Sequence, residues 1–165
     1  MPIKYKEGDL FTQLEDNDCI IHCCNNIGAW GSGFVIPLEN YFPEVKEAYK
    51  DWTHEIEPKA NDFRSNSKMQ LGHIQVITGL QYADNSISCV NMIGQNGIAR
   101  SDYPRPLHYD AIYRCLERIR YCPQLNGVRK VGPKFGAGLA GGSWSVIEAM
   151  INDIFKDREI IIFCK

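Results

Sequence analysis

The sequence lacks the long apolar run of a membrane-spanning helix, and its N-terminus lacks the apolar stretch of a signal peptide. It also lacks an excess of charge of either sign, since the formal net charge is −2 at pH 7. A general nucleic-acid-binding protein would usually show a basic face. Internal repeats and low-complexity segments are missing as well. We therefore expect a single domain over residues 1–165, with no membrane partner and no general affinity for nucleic acid.

The seven cysteines lack the spacing of a zinc site. Cys23 and Cys24 are adjacent and cannot readily chelate one metal ion together. Most of the cysteines lie in or beside apolar runs, where a free cysteine behaves as a small hydrophobic residue. These are Cys19, Cys23, Cys24, Cys89 and Cys164. Free thiols indicate a reducing compartment, so we expect a cytoplasmic protein that binds no metal and no cofactor.

Two common nucleotide-binding signatures are missing or misplaced. The sequence has no G-x-x-x-x-G-K-[ST] motif, which excludes a P-loop. The G-x-G-x-x-G pattern occurs at 136–141, but only one further strand is predicted after it. A dinucleotide-binding fold opens with that motif, so a Rossmann domain is not expected.

Two glycine-rich loops are present instead, and each follows a predicted strand. The first is HCCNNIGAWGSGF at 22–34, and the second is GPKFGAGLAGG at 132–142. Glycine allows backbone N–H groups to approach a phosphate, and a helix N-terminus after the first loop would add its positive dipole end. Two such loops in one small domain predict a ligand with more than one phosphate or sugar.

The hydrophobic periodicity predicts strands that alternate with helices. Strands are predicted at 3–6, 19–23, 74–77, 87–93, 129–131 and 159–164, and helices at 34–41, 43–55, 107–121 and 143–155. A polar segment at 57–69 and a loop at 94–106 lie between them. This alternation predicts an α/β fold, a three-layer α/β/α sandwich around a central mixed sheet. Ligands of such sheets bind beyond the carboxyl ends of central strands, where both glycine loops would lie.

Three motifs in this order resemble the macrodomain family of ADP-ribose-binding modules. GDLF at 8–11 resembles the start of the family's sequences, the first glycine loop resembles its distal-ribose loop, and VGPKFGAGL at 131–139 resembles its diphosphate loop. The spacing of the three motifs, with the alternation of strands and helices between them, extends the resemblance over nearly the whole chain. The resemblance implies the macrodomain fold and ADP-ribose, or ADP-ribose 1''-phosphate, as the ligand.

Two branches of the family resemble this sequence most. Fungal-type ADP-ribose 1''-phosphate phosphatases share the pattern formed by His22, Asn25, Gly28, Trp30, Gly31 and Gly33. Terminal ADP-ribose protein glycohydrolases share the GxGL sequence and a tryptophan-containing helix after it. Their nucleophilic lysine has no counterpart in 92–96, and Ala140 stands where they have an aspartate. The resemblance therefore implies metal-independent hydrolysis of ADP-ribose 1''-phosphate. The alternatives are a mono-ADP-ribosyl hydrolase acting on protein or nucleic acid, and a non-catalytic ADP-ribose reader.

The resemblance also implies roles for individual residues. Asp9 would accept a hydrogen bond from the adenine amine, and Phe163 would stack on the base. His22 and Asn25 are the catalytic candidates, since histidine exchanges protons near neutral pH and asparagine can hydrogen-bond a diol. The implied ligand-binding set is Asp9, Leu10, Asn25, Asn26, Gly28, Trp30, Gly31, Ser32, Gly33, Phe34, Pro133, Lys134, Phe135, Gly136, Ala137, Gly138, Leu139 and Phe163.

Each of these roles has a structural alternative. Asp9 would satisfy a turn, Asn25 would adopt a left-handed loop conformation, and His22 would be a buried neutral histidine bonded to its surroundings. Trp30 and Phe163 would belong to the core, and Lys134 would be an ordinary surface lysine. Four further polar residues near the 94–106 loop could position water, and no spacing distinguishes among them: Gln95, Asn96, Asp102 and His108.

Overall fold

The structure is a computed structural model that describes residues 2–54 and 70–164. Within these residues the strands are β1 (Ile3–Glu7), β2 (Cys19–Asn25), β3 (Ile74–Tyr82), β4 (Asn85–Gln95), β5 (Lys130–Gly132) and β6 (Ile160–Cys164). The α-helices are α1 (Val35–Tyr41), α2 (Pro43–His54), α3 (Tyr109–Arg120) and α4 (Trp144–Phe155). The polar segment predicted at 57–69 lies outside the described residues.

The strands form one mixed sheet in the order β1-β6-β5-β2-β4-β3. Every neighbouring pair is parallel except β3 with β4, which is an antiparallel pair at the edge. The carboxyl ends of β1, β6, β5, β2 and β4 therefore point to the same edge of the sheet. Each segment that follows one of these strands begins at that edge.

Helices cover both faces of the sheet and enclose two apolar layers. In β2, Cys19 and Ile21 pack in the layer under α3 and α4, whereas Ile20 and Cys24 pack in the layer under α1 and α2. Because successive strand side chains point to opposite faces, a strand buried on both sides has a nearly continuous apolar sequence. The predicted three-layer α/β/α sandwich with a mixed sheet is confirmed.

The structure contains every predicted helix and strand of the described residues, with some differences in their limits. β3 extends to Tyr82 through an irregularity between Ile77 and Leu80, where Gly79 has a φ of 75°. This irregularity interrupts the apolar alternation, which is why the predicted strand stopped at 77. The predicted helix at 107–121 begins two residues later, because Leu107 pairs with Gln95 in an antiparallel bridge.

Two short 3-10 turns, Leu10–Thr12 and Pro123–Leu125, were not predicted. Pro123 supplies the fixed φ that suits the first position of the second turn. In the part of the chain that the structure describes, no helix has both the length and the apolar character needed to cross a bilayer.

Candidate functional site

The order of the strands arranges the motifs in a row along one edge of the sheet. From β1 to β4, this edge carries Asp9, then Phe163, then the second glycine loop, the first glycine loop and Gln95. Three hollows follow the same edge and share lining residues where they meet. They form one continuous groove, which we describe from the Asp9 end to the Gln95 end.

The first hollow has a volume of about 320 Å³ and is mainly apolar. Its lining residues are Gly8, Asp9, Leu10, Phe11, Gly33, Phe34, Pro37, Pro133 and Phe163. The Asp9 carboxylate accepts a hydrogen bond of 3.0 Å from the backbone N–H of Phe11. It therefore caps the short 3-10 turn, and its second oxygen has no protein partner among the described residues. A flat apolar slot with one carboxylate acceptor suits an aromatic ring that carries an amine.

The middle hollow, of about 250 Å³, lies between the two glycine loops. Its lining residues are His22, Cys23, Ser32, Gly33, Phe34, Val35, Gln95, Pro133, Lys134, Phe135, Gly136, Gly138, Leu139 and Ala140. A Cβ built on Gly33 would lie 3.4 Å from Cδ1 of Leu139, so the two loops approach each other closely. Gly33 and Gly136 have φ angles of 82° and 77°, a region that side-chain-bearing residues rarely adopt.

The middle hollow offers unpaired backbone donors. Among the described residues, the N–H groups of Ser32, Gly33, Gly138 and Leu139 have no hydrogen-bond partner in the protein. Lys134 is the cationic side chain among the described lining residues, and its Nζ lies 5.8 Å from the centroid of the Tyr5 ring. Successive backbone donors around a concave surface can bind an anion without a nearby cationic side chain.

His22 forms the floor of the middle hollow and is 1% exposed. Burial lowers the pKa of its imidazole to about 4, so His22 is neutral at pH 7. Its Nε2 lies against Oδ1 of Asn91, whose Nδ2 donates to Oε1 of Gln75 at 3.0 Å. Gln75 Nε2 in turn donates to the carbonyl oxygen of Ala48 at 2.9 Å.

This chain of hydrogen bonds fixes the tautomer of His22. A carbonyl oxygen only accepts, so Gln75 must present its NH₂ group to Ala48 and its oxygen to Asn91. Asn91 then presents its own oxygen to His22, and the imidazole must carry its proton on Nε2. Because His22 is neutral and this proton is engaged, the structure favours a supporting role for it over that of a cationic acid.

The lowered pKa predicts that stability depends on pH through His22. In the unfolded chain the pKa returns to about 6.5, so between pH 6.5 and about 4 the unfolded state binds more protons than the folded state. The free energy of unfolding should therefore fall as pH is lowered through this range, by on the order of 3 kcal/mol. The variant His22→Leu should lose less stability on acidification than the wild type. Urea unfolding between pH 7 and pH 4.5 measures the difference.

The exposed His54 at the end of α2 provides the control for this measurement. His54→Leu should leave the pH dependence close to that of the wild type. Parallel pH curves for the wild type and His22→Leu would contradict the lowered pKa.

The third hollow, of about 290 Å³, is the most polar of the three and lies at the Gln95 end. Its lining residues are Cys23, Cys24, Asn25, Ala29, Gly31, Ser32, Val35, Gln95, Ile98, Ala99 and Leu139. Burial raises the pKa of the Cys23 thiol to about 12, so it stays protonated and is a poor nucleophile at neutral pH. We call this hollow the distal pocket.

Asn25 organises the first glycine loop from the end of β2. Its Oδ1 accepts hydrogen bonds from the backbone N–H groups of Ile27 and Ala29 at 3.1 and 3.0 Å. Its Nδ2 donates to the Ala29 carbonyl at 2.8 Å, and the Tyr49 hydroxyl lies 2.9 Å from Oδ1. One N–H of the amide is left for a ligand, so the side chain mainly determines the shape of the loop.

Several members of the implied ligand-binding set hold the loops from outside the groove. The Trp30 ring is buried against Tyr49 and lies nearly perpendicular to the His22 ring, and its Nε1 has no partner among the described residues. The carbonyl of Gly28 accepts from the Lys50 ammonium group. Ala137 packs against the apolar layer under α3 and α4. Asn26 bonds to the loop that follows β4.

Gln95 is the polar residue of the 94–106 segment that the structure brings into the groove, where it lines both the middle hollow and the distal pocket. Asp102 lies near Arg100 on the surface, and His108 bonds to the Tyr103 hydroxyl. Ile98 and Ala99 were not predicted as pocket residues. No sequence pattern marks these two residues, which line the pocket because the parallel pairing of β4 with β2 places the segment after Gln95 beside the first glycine loop.

Comparison with known proteins agrees with this architecture. No family model matches the chain. An uncharacterized 17.5 kDa protein of Enterobacteria phage T4 is 25% identical over 165 residues, 98% of this chain and 96% of the relative. A solved protein of unknown function from Bacteroides thetaiotaomicron is 30% identical, with a TM-score of 0.81 over 99% of this chain and 98% of its own. A macrodomain protein from Streptomyces coelicolor is 29% identical, with a TM-score of 0.71 over 99% of both chains.

The chain belongs to the macrodomain family. A further similarity covers a shorter stretch of the chain. An ADP-ribose 1''-phosphate phosphatase of Chaetomium globosum is 36% identical over 45 residues, which are 27% of this chain and 24% of that enzyme. Thermosipho africanus DarTG, solved in complex with ADP-ribose, shares the fold at 15% identity with a TM-score of 0.74, over 98% of this chain and 41% of its own.

Proposed function

We propose that this macrodomain binds ADP-ribose along the groove, with the adenine beside Asp9 and Phe163 and the diphosphate between the glycine loops. The distal ribose then lies beside Asn25 and Gln95. The observation that carries this proposal is the order of the three hollows. An apolar slot with one carboxylate, a cradle of backbone donors and a polar pocket follow one another in the order of the parts of ADP-ribose.

The charges around the groove support binding through the backbone. The protein has a net charge of −2, and His22 on the floor of the middle hollow is neutral. A diphosphate would therefore depend mainly on the unpaired N–H groups of both loops, with Lys134 as the one cationic side chain among the described lining residues of the three hollows. The close approach of Gly33 and Leu139 lets one diphosphate reach both sets of donors.

We further propose that the bound nucleotide is hydrolysed at its distal end, with ADP-ribose 1''-phosphate as the substrate. The partial similarity to the Chaetomium globosum phosphatase supports this reaction. Water would attack the phosphorus, the bond to the anomeric oxygen would break, and ADP-ribose and inorganic phosphate would be released. The Gln95 amide is placed to orient that water, and backbone donors near Ser32 would stabilise the developing charge.

A second reaction is favoured by the composition of the distal pocket. Among its described lining residues none carries a positive charge that would balance a phosphate dianion, and Ile98 and Leu139 form an apolar border. These features suit an uncharged substituent on the distal ribose. The alternative function is therefore removal of ADP-ribose from a modified protein or nucleic acid, or recognition of that group without turnover.

Calorimetric titration with ADP-ribose tests the binding, and phosphate release from ADP-ribose 1''-phosphate in the same preparation tests the reaction. We expect the wild type to bind ADP-ribose with a stoichiometry of one and to release phosphate from ADP-ribose 1''-phosphate. In Gln95→Ala the release should slow, whereas the affinity for ADP-ribose should stay within about threefold of the wild type. The reason is that orienting the attacking water acts mainly in the transition state. Binding without release would contradict the phosphatase proposal and favour the alternative. Absence of binding in folded protein would overturn both.

A further inference from the structure

The segment that forms the outer wall of the distal pocket is a closed loop. Residues 96–106 leave the end of β4 and return beside it, because Gln95 pairs with Leu107 and the Asn96 N–H donates to the Pro106 carbonyl at 2.9 Å. On the returning side, a Cβ on Gly141 would lie 2.6 Å from the Pro104 carbonyl oxygen, so this side rests on the second glycine loop. We call this segment the β4 loop.

The outgoing side of the β4 loop is held by one side chain of the first glycine loop. Asn26 Nδ2 donates to Oδ1 of Asn96 at 3.1 Å, and Asn26 Oδ1 accepts from the Gly97 N–H at 2.9 Å. The backbone N–H of Asn26 also donates to the Gln95 carbonyl at 3.0 Å. Both ends of the Asn26 amide are therefore occupied by the β4 loop, an arrangement that we call the Asn26 clasp.

The clasp lies immediately before the residues that line the distal pocket. Gly97 has a φ of 70°, and the next two residues, Ile98 and Ala99, form part of the pocket wall. Ile98 is 49% exposed, so burial of its side chain contributes little to holding the wall in place. The hydrogen bonds of Asn26 are thus the main contacts that fix this side of the loop relative to β2.

We propose that Asn26 is a positioning residue that sets the shape of the distal pocket through the β4 loop. This inference rests on the proposed binding of ADP-ribose. Ile98 and Ala99 line the distal pocket, whereas the described linings of the apolar slot and the middle hollow do not include them. Loss of the clasp should therefore weaken recognition of the distal ribose while leaving recognition of adenosine and diphosphate nearly unchanged.

The test compares ADP-ribose with ADP, which lacks the distal ribose and ends in a free terminal phosphate. In Asn26→Ala we expect the affinity for ADP-ribose to fall about tenfold, since two hydrogen bonds that order the pocket wall are lost. The affinity for ADP should change less than about twofold. Asn96→Ala removes one bond of the clasp and should lower the ADP-ribose affinity about threefold. A direct contact between Asn26 and the ligand would instead leave Asn96→Ala without effect, and equal losses for both ligands would also overturn the proposal.

A conservative variant and a surface variant control for changes in folding. In Asn26→Asp the carboxylate still accepts from Gly97, and a rotated Asn96 amide can donate to it, so binding of ADP-ribose should be close to that of the wild type. Asn40→Ala alters an exposed residue of α1 and should behave as the wild type does. Circular dichroism and thermal unfolding establish that each variant is folded before titration.

Amide hydrogen exchange of Gly97 tests the clasp without any ligand. Because the Gly97 N–H donates to Asn26, its exchange should accelerate about tenfold or more in Asn26→Ala and remain unchanged in Asn40→Ala. Unchanged protection of Gly97 in Asn26→Ala would overturn the clasp itself. If the wild type binds neither ligand while Gly97 exchange still accelerates in Asn26→Ala, the proposed function and the role of the clasp in ligand recognition are both refuted. Only the role of the clasp in the free protein would then remain.

Discussion

Gly138→Glu should abolish ADP-ribose binding while the protein stays folded. Gly138 lines the middle hollow, and a Cβ built on it meets no atom within 4 Å. Its φ lies outside the left-handed region, so a side chain can be added without backbone strain. A carboxylate there would stand among the donors proposed for the diphosphate and would repel it at short range. We expect a loss of affinity of at least about 100-fold, which corresponds to about 3 kcal/mol.

The variant Gly138→Gln separates charge from size. Glutamine has nearly the same volume, carries no charge and can donate a hydrogen bond, so its loss of affinity should be at least about tenfold smaller than that of glutamate. Calorimetric titration of both variants at two salt concentrations measures the difference, since screening weakens only the repulsion by glutamate. Equal losses in both variants would mean that the added side chains block the hollow by their size, and would contradict an anion cradle at Gly138. Wild-type affinity in Gly138→Glu would place the ligand elsewhere.

The sequence predicted the fold because the central strands of this sheet have a clear apolar pattern. Cys19–Asn25 is apolar nearly throughout, as a central parallel strand buried on both faces must be. The same pattern also placed His22 and Asn25 at the carboxyl end of a central strand. Strand limits were less predictable, because Gly79 interrupts β3 and Leu107 pairs as a bridge before α3 begins.

The roles of the side chains were less accessible from the sequence, since they depend on contacts between segments far apart in the chain. Asn91 accepts the Nε2 proton of His22 and Gln75 orients Asn91, and neither lies near His22 in the sequence. Asn26 resembles a ligand residue by its position, yet its amide is engaged by residues 96 and 97. The backbone donors of the glycine loops could be anticipated from glycine alone, since their geometry needs no side chain.

Asn25→Leu should cost the protein about 2–4 kcal/mol of stability and should weaken ADP-ribose binding as a consequence. Asn25 is 7% exposed, and its Oδ1 accepts from two backbone N–H groups of the first glycine loop. Leucine has a similar volume but no acceptor, so the N–H groups of Ile27 and Ala29 would lose their partners. The loop would then adopt several conformations, and the donors at Ser32 and Gly33 would no longer converge. Chemical unfolding and titration of the same preparation measure both effects.

Two further variants show whether Asn25 acts by shaping the loop or by touching the ribose. Tyr49→Phe removes a hydroxyl of α2 that donates to the backbone carbonyl of Asn25 at 2.6 Å, and Tyr49 is not among the described lining residues of the distal pocket. If Asn25 shapes the loop, Tyr49→Phe should lower stability by about 1 kcal/mol and ADP-ribose affinity by a few-fold. Asn25→Asp keeps the acceptor oxygens and should lie between the wild type and leucine in stability. Normal stability of Asn25→Leu together with complete loss of binding would contradict the loop role, and would make the amide a direct ligand of the distal ribose.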